Sequence, residues 1–138
     1  MYKDNLLTFA NGQALTASGA LTNIIDLGSD RKIGPGTPLW IVINILVALA
    51  GTTPTLKLAL QTSDDSAFGT FDEIAAVSPT AADVDAGAMF VLGMPWTNKR
   101  YLRMYATLGG TTPTVTLSAD LTSEMPYDHT AYPSPSQA

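Results

Sequence analysis

The pentapeptide GTTPT occurs twice, at residues 51–55 and 110–114, and each copy leads into a run in which apolar residues alternate with others. Gly51 and Gly110 can take positive φ without a Cβ penalty, so each can turn the chain. Pro54 and Pro113 lack the N–H that a strand interior needs, and each pushes the threonine before it, Thr53 or Thr112, towards extended backbone. The unit reads as a turn followed by the first residue of a strand. Strand-like segments also precede each copy, LWIVINILVAL (39–49) and RYLRMYATL (100–108). The expectation is two equivalent β-hairpins tipped by GTTPT, with loops of about four or five residues.

Beyond each tip the alternation is strict. Leu56, Leu58 and Leu60 oppose Lys57, Ala59 and Gln61, and Val115, Leu117, Ala119 and Leu121 oppose Thr114, Thr116, Ser118 and Asp120. Such a pattern predicts one face in the core and one face wet or against a partner. Further β-like stretches recur at 13–17, 21–27, 71–77 and 88–92, about eight in all, separated by segments rich in Gly, Pro, Asp, Ser or Thr. The best helical candidate, PTAADVDAGAM (79–89), supports a single turn because Gly87 ends it. The fold class is therefore all-β, a sandwich or barrel of about eight strands over residues 13–122. An N-terminal arm (1–12) and a Pro-rich C-terminal arm (123–138) flank it.

At 138 residues the chain fits one domain that buries roughly 68% of its unfolded surface. Cysteine is absent, which excludes disulfides and thiolate chemistry. With 12 acidic against 7 basic residues the net charge is −5, and no basic run exceeds two residues, so no nucleic acid is expected as a partner. The longest apolar stretch, Leu39 to Ala50, contains Asn44 and is too short for a membrane-spanning helix of about 20 residues, so no membrane partner is expected either. The start of the chain shows no signal-peptide pattern, and the mature protein is expected to begin near Met1.

Residues that could carry chemistry are few. His129 stands in the C-terminal arm with only Asp128 beside it, and no catalytic group is assigned there. The acidic loop SDDSAFGTFDE (63–73) fails as a calcium loop, because an EF-hand frame starting at Asp64 puts Phe68 and Ala75 at ligand positions. The chain is read as non-enzymatic, with no cofactor and no metal. Trp40, Trp96, Tyr101 and Tyr105 are candidates for a sugar-binding platform, although Trp40 opens the most apolar strand and reads as core.

Four segments, MYKDN (1–5), NIIDLG (23–28), RYLR (100–103) and TAYPS (130–134), resemble in order and spacing the capsid cement proteins of tailed bacteriophages, of the kind found in a Bordetella phage. The resemblance covers nearly the whole chain. It implies a jelly-roll-like fold, no catalysis and a place in the virion on the outer surface of the capsid. The implied partners are the major capsid protein and a second copy of the chain, a dimer in preference to a trimer. Leu39–Ala50, apolar on both faces, is the expected self-association surface, unless its second face is buried under another part of the same chain. Tyr2, Lys3, Tyr127, Tyr132 and Pro133, in the two arms, are the expected capsid anchors. The alternative function is a carbohydrate-binding β-sandwich, a virion adhesin.

Overall fold

The computed structural model describes residues 7–28, 39–95 and 99–122. The fold is all-β, as expected: one antiparallel, seven-stranded sheet. Its strands are β1 (Thr8–Leu15), β2 (Gly19–Ala20), β3 (Ile25–Asp26), β4 (Trp40–Ser63), β5 (Asp72–Val77), β6 (Met89–Gly93) and β7 (Tyr101–Thr122). A 3-10 turn at Ala81–Asp83 follows Thr80, whose hydroxyl donates to the Asp83 carboxylate at 2.8 Å.

The hairpin expectation is overturned. β4 and β7 each run through their GTTPT copy without reversing, and they pair antiparallel with one another from Trp40 opposite Thr122 to Ser63 opposite Tyr101. The stretch 39–49 therefore pairs with 114–122, and 55–62 with 101–109, so neither flank pairs with its own sequence neighbour. The two pentapeptides face each other at the middle of the ribbon. There the register slips, between Ile45 opposite Leu117 and Leu56 opposite Leu108, through a run of bulges. Two prolines that cannot donate to a ladder are thus collected in the one place where the ladder is already interrupted.

The local backbone at this crossing differs from expectation too. Thr53 and Thr112 are not extended but left-handed, with φ of 47° and 49°, a conformation β-branched residues rarely take. Gly51 and Gly110 have φ of 130° and 94°. A Cβ on Gly110 would stand 2.5 Å from the Thr53 carbonyl oxygen, and one on Gly51 would stand 2.9 Å from the carbonyl oxygens of Thr111 and Thr112. Glycine is required there by backbone that approaches from the opposite strand.

Each half of the ribbon gains its own neighbours. The half made of 40–49 and 114–122 is flanked by β6 on Trp40–Asn44 and by β1 on Val115–Asp120. The other half is flanked by β5 on Leu58–Thr62 and by β2 and β3 on Tyr101–Ala106. The most apolar segments thereby become central strands, and short strands take the edges. The inward residues form one core across both halves: Ile41, Ile43, Ile45 and Leu117 join Leu58, Leu60, Leu102 and Met104. Each fully buried aliphatic side chain contributes roughly 1.5–3 kcal/mol. The segment after β1 ties the halves together, since Asn23 N–H donates to the Phe9 carbonyl and Leu21 N–H to that of Met104, both at 2.9 Å.

Further expectations need correction. β1 begins at Thr8, inside the stretch assigned to the N-terminal arm, and Phe9 and Ala10 are fully buried. The faces opposite the core are not simply wet, for Gln61, Ser63, Ser118, Asp120 and Thr122 are buried on them. The Asp120 carboxylate accepts from the Thr8 hydroxyl at 2.8 Å. Leu39–Ala50 divides three ways: Ile41, Ile43, Ile45 and Leu49 enter the core, Val42 is buried on the opposite face, and Leu46 and Val47 are 50% and 56% exposed. Trp40 is half-buried at the strand end and outside the core cluster.

The crossing makes a direct prediction. Gly110→Ala and Gly51→Ala should each lower unfolding stability by about 1–3 kcal/mol in urea titrations, because each combines positive φ with a backbone clash. Gly19→Ala, where a Cβ meets nothing within 4 Å, should change it by less than about 0.5 kcal/mol.

Candidate interaction surface

The alternation of RYLRMY, continued along β7, puts Tyr101, Arg103 and Tyr105 on one face, while Leu102, Met104 and Ala106 enter the core. Directly opposite on β4 lie Ser63, Gln61 and Ala59. Arg103 is the centre of this outer face. Its Nε donates to Gln61 Oε1 at 2.7 Å, and its guanidinium carbon stands 4.3 Å from the ring centre of Phe68, 5.3 Å from that of Phe71 and 5.5 Å from that of Tyr105. All three distances lie within cation–π range.

Phe68 comes from the acidic loop, and the loop's acids explain how. The Asp65 carboxylate accepts from the N–H groups of Ala67, at 2.9 Å, and Gly69, at 3.0 Å. The Ser63 hydroxyl donates to the Thr70 carbonyl and accepts from Asp65 N–H. The resulting tight loop holds Phe68 at φ 53° and only 4% exposed, beneath the arginine. Asp65 is thus engaged in closing its own loop, while Phe71 beside it remains 45% exposed.

Charge pairs rim the face. Lys57 Nζ meets Glu73 at 3.0 Å, Lys99 Nζ meets Asp72 at 2.8 Å, and Arg100 grips both Asp26 oxygens at 2.7 and 3.0 Å. The Arg100 hydrogen bond, with help from Gly28 N–H, holds the Asp26 carboxyl below its ordinary value. The Ala67 and Gly69 N–H groups do the same for Asp65. The Asp72 hydrogen bond raises Lys99 above its ordinary value. These pairs are solvent-exposed, so each adds little stability. Their effect is to neutralise the rim.

Of the residues singled out in the sequence, Tyr101 and Tyr105 are brought to this face, with Arg103 between them. Trp40 lies at the other end of β4, opposite Gly93 and Thr122. Trp96 and the expected anchors Tyr2, Lys3, Tyr127, Tyr132 and Pro133 lie outside the described residues, as does His129. Arg103, Gln61, Phe68 and Phe71 were not anticipated. The spacing Tyr101, Arg103, Tyr105 was a readable signal for a shared face; nothing local announced that Phe68 folds back onto it.

The outer sheet face thus gathers Phe68, Phe71 and Tyr105 around Arg103, with Tyr101 against Arg100. The sequence model of the Bbp16 family matches residues 9–121. The chain belongs to the Bbp16 family, a Bordetella phage protein family. Membership is consistent with a phage protein, and the family suggests a structural component of the virion. No curated protein matches the chain.

The depressed Asp26 and Asp65 carboxyls fix a pH dependence. A carboxyl lower in the folded than in the unfolded state adds stability above the ordinary value of 3.8, and that stability disappears as pH falls through the folded value. Urea midpoints of the native chain should therefore fall as pH drops below about 4. A chain carrying Asp26→Asn and Asp65→Asn should show a shallower fall over the same window.

Proposed function

We propose that this protein is a non-enzymatic capsid cement, or decoration, protein that binds the outer surface of a tailed-phage head and bridges neighbouring subunits of the major capsid protein. Membership of a phage family across residues 9–121 carries the reading. The physical design suits it. A cement needs a stable body, a surface for the shell and several contacts acting together, since linked weak contacts multiply into avidity. The single-core β body supplies the first, and the Arg103 face is suited to the second. Tyr2, Lys3, Tyr127, Tyr132 and Pro133 are proposed as further anchors, tyrosine offering large contact area with few rotors. No cofactor takes part.

Self-association, a dimer in preference to a trimer, belongs to the same reading. The uncovered part of the apolar segment, Leu46 and Val47, is its proposed surface. The alternative, a carbohydrate-binding virion adhesin, draws on Tyr101 and Tyr105 sharing one face. Arg103 stands between them there and interrupts a flat aromatic platform.

The test is reconstitution. Purified protein added to heads assembled without it should bind saturably, in fixed ratio to the capsid subunit, and raise the temperature at which the heads rupture. Tyr2→Ala combined with Tyr132→Ala should weaken binding by about tenfold. Absence of binding, or binding abolished by simple sugars, would reject the cement role. Light scattering that gave a monomer at high concentration would reject self-association.

A further inference from the structure

The geometry points to Arg103 as the receptor for a single carboxylate, an Asp or Glu side chain that the capsid subunit brings to the outer face of β7. The inference rests on the cement reading for the identity of the partner. It rests on charge for the chemistry. Lys57, Lys99 and Arg100 each hold a carboxylate of this chain. Among the described residues, Arg103 alone of the cations has none, and its one hydrogen bond is from Nε to the neutral Gln61. The three pairs cancel around it, so Arg103 is the one cation of the face not matched to a carboxylate, on a chain whose net charge is −5.

The guanidinium is also prepared for such a ligand. Phe68 stacks beneath it and Gln61 fixes Nε, which leaves the two Nη groups as a fork of matched spacing for a carboxylate. Holding the side chain in advance reduces the rotamer entropy lost on binding. Phe71 and Tyr105 beside it form an apolar rim of the kind that keeps water from a contact, while the Tyr101 ring centre lies 5.0 Å from the Arg100 guanidinium. A polyanion such as nucleic acid fits poorly. Asp26, Asp72 and Glu73 stand around the face, and no second uncompensated cation is available among the described residues to meet a second phosphate. A lone carboxylate set among apolar atoms is the complementary group.

The experiment uses the full-length chain and heads assembled without it. Arg103→Met keeps the aliphatic stem over Phe68 and removes the fork; Arg103→Lys keeps the charge and removes the fork. Both should stay folded by melting temperature. Arg103→Met should bind about tenfold or more weakly than the native chain, and Arg103→Lys should fall between the two. Independently of any variant, capping the heads' exposed carboxylates with a carbodiimide and a neutral amine should weaken native binding by a similar factor. The residual binding of Arg103→Met should be unaffected by capping. If the native chain binds but Arg103→Met binds equally well, or capping changes nothing, the carboxylate assignment is overturned while the cement reading survives. If the native chain does not bind at all, both fall.

Discussion

Everything in this fold depends on the place where β4 and β7 cross, with one GTTPT opposite the other. Backbone from each strand approaches the glycine of its partner so closely that no Cβ could stand at Gly110 without overlapping the Thr53 carbonyl. Left-handed Thr53 and Thr112, together with the prolines that follow, absorb the register slip that lets an otherwise regular ribbon continue. Strain of this kind persists only where surrounding structure enforces it. Here the enforcement comes from the paired halves on either side, whose inward leucines, isoleucines and methionine merge into one core.

The register that leaves the crossing also builds the outer face. Gln61 lies opposite Arg103 only because β4 has passed through its pentapeptide and continued against the first half of β7. In a pair of local hairpins the same residues would have had other neighbours. The outer face and the core are consequences of one pairing: odd positions from 101 to 105 reach the outer face, and even positions from 102 to 106 fill the interior. The acidic loop then adds Phe68 from beyond the end of β4, with the carboxylate of Asp65 shaping the loop.

Much of this was legible in the sequence, and the failures share a cause. The strand segments and their inward residues follow from period-two alternation, a local property, and Leu56, Leu58, Leu60, Val115, Leu117, Ala119 and Leu121 all reach the core. What the sequence did not reveal was pairing between distant segments, from Ser63 opposite Tyr101 to Trp40 opposite Thr122. GTTPT carries the glycine and proline of a turn, so local chemistry favours a reversal; the opposing copy, invisible to local reasoning, makes a bulged crossing instead. β2 is two residues long and has no pattern to read. Phe9 belongs to the core although its neighbours read as an arm. On the outer face, Tyr101 and Tyr105 were readable from spacing, whereas the stacking of Arg103 on Phe68 required the loop to fold back.

The most direct measurement is backbone nuclear Overhauser spectroscopy of the isotopically labelled protein. Continuous strands predict cross-strand contacts between Gln61 and Arg103, between Lys57 and Thr107, and between Asn44 and Ser118, the pairs that stand opposite in the ribbon. Contacts joining 45–49 to 56–60, or 104–108 to 115–119, would instead show two local hairpins. That result would contradict both the crossing and the face built upon it.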